Sequence, residues 1–225
     1  MMKKTFLLAA TAAMIAVPVQ AKEKQFYAGF DAGVSVGSDA TADVAVVDPP
    51  VPGVAATTST GFDFDAVAGY DFGAFRLEAE VSYKKNDYDT IEIRNPLLIP
   101  GVPAGTMVTS EDFISTKSAM VNALVEFGRD DGFQGFAGVG IGVAEIDGPI
   151  SVTGVGLLVD ESSTDFAYQI LVGGRYAVTE NIDLGVHYKY LRANDFDIDT
   201  VQGTPFVFDY RTHSVLASFR YNFGK

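Results

Sequence analysis

Between Gln25 and Phe223, apolar side chains occupy every second position in about eight stretches of roughly ten residues, with polar or small residues between them. From Ile182 to Tyr190, Ile182, Leu184, Val186, Tyr188 and Tyr190 alternate with Asp183, Gly185, His187 and Lys189. From Phe75 to Lys84, Phe75, Leu77, Ala79, Val81 and Tyr83 alternate with Arg76, Glu78, Glu80, Ser82 and Lys84. Successive strand residues point to opposite faces, so each stretch is a strand with one apolar and one polar side. A soluble sandwich has the same alternation with its apolar face inward. Here the other face carries charges of both signs, which a small barrel encloses as pairs while its apolar face meets lipid. The pattern predicts an all-β protein, an eight-stranded antiparallel up-and-down transmembrane β-barrel.

Alternation places the strands at 25–36, 61–72, 75–84, 114–127, 133–144, 165–176, 182–191 and 210–223. Short connections then alternate with long ones. Gly73-Ala74, Gly128 to Gly132 and Ala177 to Asn181 are short, while 37–60, 85–113, 145–164 and 192–209 are long. That is the arrangement of tight periplasmic turns and long external loops. An even strand number puts both mature termini in the periplasm, and the first and last strands must pair, because no sheet edge is tolerated in lipid.

The first residues give the route. Lys3 and Lys4 precede the apolar run Phe6 to Val17, and Pro18 leads to Val19-Gln20-Ala21, with small residues where cleavage requires them. We expect a signal peptide over residues 1–21, cut between Ala21 and Lys22, and a single barrel domain over 22–225. The run of about a dozen apolar residues falls short of the roughly 20 that a spanning helix needs.

The chain is 48% hydrophobic with a mean hydropathy of +0.17. Beyond the leader, no run approaches the roughly 18 uninterrupted apolar residues of a membrane helix. Apolarity is instead dispersed by alternation, as a barrel requires. The net charge is −13, and −15 once Lys3 and Lys4 leave with the leader, which argues against nucleic acid as a partner. The absence of Cys is compatible with the periplasm.

Aromatic residues collect at strand ends in two rows. Phe72, Phe75, Phe127, Phe133, Tyr176, Tyr221 and Phe223 lie toward the short turns; Phe62, Phe64, Tyr83, Phe166, Tyr168, Tyr188, Tyr190 and Tyr210 lie toward the long loops. Such rings favour the headgroup level of a bilayer, and with no Trp in the chain Tyr and Phe form the belts alone.

The segments Gly69-Tyr70-Asp71-Phe72-Gly73-Ala74-Phe75-Arg76-Leu77-Glu78-Ala79-Glu80 and Tyr210-Arg211-Thr212-His213-Ser214-Val215-Leu216-Ala217-Ser218-Phe219-Arg220-Tyr221-Asn222-Phe223-Gly224 resemble the OmpA-type, OmpX-like outer-membrane β-barrel family of Gram-negative bacteria. The resemblance spans essentially the whole mature chain and implies residence in the bacterial outer membrane, reached through the periplasm. The chain ends at Lys225 without the peptidoglycan-binding domain of OmpA-type proteins, so tethering to the cell wall is not expected. The resemblance also implies insertion by the barrel-assembly machinery, with Phe219, Tyr221 and Phe223 as the outward aromatic signal. Gly224-Lys225 follows Phe223, where the family often ends on the aromatic itself.

Eight strands leave an interior that side chains can fill. Strand parity assigns to it Asp31, Asp63, Asp65, Arg76, Glu78, Glu80, Lys84, Glu126, Arg175, Asp183, His187, Lys189 and Arg220, with Gly138, Gly140 and Gly142 leaving room for bulky neighbours. This mixed-sign ladder is either a plug in which buried charges satisfy one another or a narrow polar conduit. The plug is favoured because wide aqueous channels need larger barrels and unpaired buried charge is costly.

His187 and His213 are the only histidines. Parity sets His213 and its neighbour Ser214 on opposite faces, so they cannot readily share a proton. His187 points inward beside Asp183 and Lys189 and is expected to serve as a lumen hydrogen-bonding residue. Asp195-Phe196-Asp197-Ile198-Asp199 begins like a calcium loop, but Thr200 stands where its sharp-turn Gly belongs and Phe206 where its bidentate Glu belongs. No catalytic residue, cofactor or dedicated metal is expected.

The expected function is a structural or surface-interaction role in the outer membrane, among lipid and lipopolysaccharide. A narrow porin-like diffusion channel is the alternative, and a lipid A-modifying enzyme comes third. Two proline-stiffened apolar segments, Val44 to Ala56 and Asn95 to Met107, either dock an external partner or pack together over the barrel mouth.

Overall fold

The computed structural model describes residues 24–37, 40–44, 51–95, 103–108, 113–128, 132–148, 150–152, 156–159, 162–199 and 205–223. The expected signal peptide and its expected cleavage position at Ala21 and Lys22, and much of both proline-rich segments, lie outside them. Each of the eight alternating stretches lies in a strand, and five further strands stand in the long connections: β1 (Gln25–Gly37), β2 (Ala40–Val44), β3 (Val51–Thr58), β4 (Thr60–Asp71), β5 (Phe75–Ile93), β6 (Thr106–Val108), β7 (Phe113–Gly128), β8 (Phe133–Asp147), β9 (Ile150–Val152), β10 (Gly156–Val159), β11 (Ser162–Ala177), β12 (Ile182–Asp199) and β13 (Pro205–Asn222). The described residues include no helix.

Neighbouring strands run antiparallel in the order β1, β4, β5, β7, β8, β11, β12, β13. β13 returns to β1 through a register from Tyr27 opposite Asn222 to Gly37 opposite Thr212, so the wall closes without an edge. The turns at the short-connection end are tight. In the first, the Phe72 N–H donates to the Phe75 carbonyl at 2.9 Å, and the Asp71 carboxylate accepts from the Gly73 N–H at 2.7 Å. Gly73 sits at φ 100°, a region open to a residue without Cβ.

The four long connections differ from expectation, because much of their length is sheet. β5 runs to Ile93 and β12 to Asp199, and the 37–60 connection holds β2 and β3. β2 pairs with β13 and β3 with β5, so these two strands carry the courses of β1 and β4 upward. Part of the first proline-rich segment is therefore strand β3, and the acidic run Asp195 to Asp199 lies within β12. At about 3.3 Å per residue and a tilt of roughly 40°, the 19 residues of β5 rise almost 50 Å, against an apolar band of about 25 Å. The wall continues well above the bilayer.

Bulges explain why alternation stops short of these extensions. Thr57 pairs with Thr90 and Thr58 with Tyr88, leaving Asp89 extra. Below that point Lys84, Asn86 and Tyr88 are buried; above it Ile91 and Ile93 are. An extra residue reverses the parity, as bulges at barrel rims do. A second irregularity falls between Ala193 and Phe196 of β12, and a third between Ala42 and Asp43 of β2.

The outer wall is apolar. Val81, Val121, Ile141, Ile170, Val186 and Val215 are exposed in its middle, between Phe26, Phe72, Phe75, Phe127 and Phe133 at the turn end and Phe62, Phe64, Tyr83, Phe166 and Tyr188 toward the other. Tyr210 is not in that outer row: it is 1% exposed and points into the barrel, since it shares parity with Thr212 and Ser214.

Candidate functional site

All thirteen inward residues named from parity are buried in the lumen, and they stack in three layers. At the turn end, Arg76 contacts Asp71 at 2.8 Å and Glu126 at 3.0 Å, and Glu126 also meets Arg175. The Arg76 guanidinium lies over the Tyr27 ring at 4.7 Å, and that of Arg175 over Phe136 at 5.1 Å. In the middle, Arg220 grips Asp31 through both nitrogens, at 2.6 and 2.9 Å, and reaches Glu78 at 3.5 Å. Above them, Lys189 contacts Asp65 at 2.6 Å, Asp63 at 3.2 Å and Glu80 at 3.4 Å, while Lys84 contacts Asp63 at 2.8 Å.

Neutral groups join the layers. Asn122 donates to Glu78 at 3.2 Å and to Glu80 at 2.8 Å. Gln169 donates to Glu80 at 3.0 Å and to the Asn122 side-chain carbonyl at 2.8 Å, and the Tyr27 hydroxyl donates to Glu78 at 3.2 Å. Sequence reasoning missed Tyr27, Asp71, Asn122 and Gln169, although all four share the parity of the inward residues on their strands. The glycines of β8 make the network fit. A Cβ on Gly140 would stand 2.0 Å from the Asn122 side-chain oxygen and 2.9 Å from Gln169 Cγ.

Above the charged layers the buried residues are uncharged, with Asn86, Thr116 and Thr212 among apolar side chains. Tyr88, Ile91, Ile93, Ile114, Ile146 and Leu191 are buried there with Tyr210. Within the bilayer span, Leu124, Phe136 and Leu171 form a smaller apolar cluster on the β7–β8–β11 side. The lumen is thus filled at membrane level by charged side chains and above them by uncharged, largely apolar ones.

The two histidines have separate environments. His213 lies on the outer wall, where its Nδ1 and the Tyr188 hydroxyl are 2.6 Å apart; Ser214 is buried on the opposite face. His187 is 3% exposed inside the lumen, with its ring 5.9 Å from that of Phe136. It was expected to hydrogen-bond beside Asp183 and Lys189, but neither ring nitrogen has a protein hydrogen-bond partner. A ring nitrogen of His187 and carboxylate oxygens of Asp31 and Asp65 lie within 4.8 Å of one another. Near the C-terminus, Tyr221 and Phe223 are exposed with ring centroids 5.1 Å apart, and Phe219 stacks on Phe30 at 5.2 Å.

A closed wall with apolar exterior and charged interior is matched by similarity in sequence. Residues 6–223 fit the family described as outer membrane protein beta-barrel domain. The chain belongs to this family. Over 144 residues it is 26% identical to the outer membrane protein PagN of Salmonella typhimurium, covering 58% of this chain and 56% of PagN, so the match spans little more than half of that relative. In three dimensions it resembles the Neisserial surface protein NspA, with a TM-score of 0.54 at 18% identity, covering 90% of this chain and 100% of NspA. It also resembles OprG of Pseudomonas aeruginosa, with a TM-score of 0.60 at 13% identity, covering 91% and 98% of the two chains. At these identities the structural likeness is one of fold. The outer membrane protein beta-barrel domain places the chain in the bacterial outer membrane, as the sequence resemblance implied.

Proposed function

We propose that this barrel does not conduct and acts as a structural or surface-interaction protein of the outer membrane, its contacts made by the strands and connections that rise above the lipid. The carrying observation is the double closure of the lumen: three layers of ion pairs within the bilayer, and the Ile91, Ile93, Ile146 and Leu191 side chains packed above them. Lipid and lipopolysaccharide surround the apolar wall, and the barrel-assembly machinery engages the exposed Tyr221 and Phe223 during insertion. The external partner docks on the projecting end. No enzymatic role is assigned: His213 is tied to Tyr188 on the outer wall, and neither ring nitrogen of the buried His187 is hydrogen-bonded to a hydroxyl.

Planar-bilayer recording of the refolded mature chain tests this reading. Protein verified as folded by heat-modifiable migration is expected to give no discrete current steps. Steps whose size changes in an R76A/E80A variant would replace it with the narrow diffusion channel. An altered lipid A mass spectrum on overexpression would instead support a lipid-modifying enzyme.

A further inference from the structure

The buried ionisable groups of the lumen do not balance. Asp31, Asp63, Asp65, Asp71, Glu78, Glu80, Glu126 and Asp183 face Arg76, Lys84, Arg175, Lys189 and Arg220: eight carboxylates against five fixed cations. With Asp183 counted at the turn end, where it accepts from Asn222 at 3.0 Å, each of the three layers carries one carboxylate in excess. Unbalanced charge is costly in such a setting and attracts a proton or a cation.

One point in the lumen offers a cation ligands. The His187 nitrogen and the Asp31 and Asp65 oxygens converge there from β12, β1 and β4, all three side chains being buried. Two independent features aim this cluster at a ligand. Both His187 ring nitrogens are without a protein hydrogen-bond partner, and so is Asp65 Oδ1, whose sister oxygen binds Lys189. The bidentate contact of Arg220 with Asp31 uses one lone pair on each oxygen and leaves the other available.

We infer that Asp31, Asp65 and His187 form a binding site for a divalent first-row transition-metal ion, with Zn2+ the best match. One imidazole and two carboxylates suit such an ion, whereas Ca2+ takes six to eight oxygens. A cavity of about 10 Å³, bordered by Glu78, Asp183, His187, Ser218 and Arg220, shares His187 with the site. Two positive charges would offset most of the carboxylate excess and would join β1, β4 and β12 across the lumen.

Titration of the refolded, chelator-treated full barrel with Zn2+, and with Co2+ as a visible-absorption probe, tests the site. One ion per barrel is expected, with a Co2+ ligand-field band. Affinity should fall by at least about tenfold in H187Q and in D65N, and stay unchanged in H213A, which alters only the outer-wall histidine. H187Q nearly conserves volume, so it remains informative if D65N fails to fold. Absence of binding to verified folded barrel would overturn the assignment, as would binding that persists in H187Q or disappears in H213A.

Discussion

Lys189 and Asp65 stand 124 positions apart in the chain, and their side chains meet at 2.6 Å in the centre of the barrel. Both are fully buried, and the same ammonium also serves Asp63 and Glu80. This one cation holds β12 against β4 and β5 across the lumen.

Replacing Lys189 by Met should therefore cost more than a surface ion pair would. Three buried carboxylates lose their shared partner, with Lys84 left to Asp63 alone, and removing one side of a buried pair costs about 3–5 kcal/mol. Urea unfolding in lipid or detergent measures it. The K189M/D65N double variant should lose less than the two single losses combined, because the substitutions share one interaction.

Gly140→Ala should destabilise the barrel by about 1–3 kcal/mol, since the new methyl would overlap the Asn122 side chain. The nearby atoms belong to side chains, so N122A/G140A should be easier to fold than G140A. Heat-modifiable migration across a denaturant series reads both.

Substituting Ile91, Ile146 and Leu191 together by Ser should loosen the projecting end and leave the bilayer-level wall intact. Hydrogen exchange should accelerate in the upper parts of β5, β8 and β12 and not around Glu78, Asn122 or Arg220. The variant should still conduct nothing, because the ion-pair layers lie below the altered cap.

Phe223→Ser should separate assembly from stability. Phe223 is 64% exposed and touches Tyr221, so its loss removes little from the folded barrel. Refolding in detergent should be near normal, while the yield of inserted protein in cells falls. Equal loss in both assays would make Phe223 a structural residue.

The barrel itself was legible because a two-residue period is a local property. Phe75 to Lys84 reveals its two faces from neighbouring residues alone, and the same parity places Arg76, Glu78, Glu80 and Lys84 inside. That reading failed around Asp89, where a bulge reverses the faces while the strand continues, and beyond Ala193, where the ladder register shifts. Segments 85–93 and 192–199 therefore read as loops, although they carry ladder pairing to Ile93 and Asp199. Tyr210 was misassigned for a different reason: a ring near a strand end looks like a girdle residue unless its parity is followed to Thr212.

The amino-acid sequence by itself determined the strand periodicity, the antiparallel closure, the apolar wall and all the buried charges but Asp71, which follow from side-chain alternation and from lipid's intolerance of unpaired backbone. Only the tertiary structure decided which charges meet. Partners such as Lys189 and Asp65, Arg220 and Asp31, or His187 with Asp31 and Asp65 depend on strand register and on distance across the lumen, and parity carries neither.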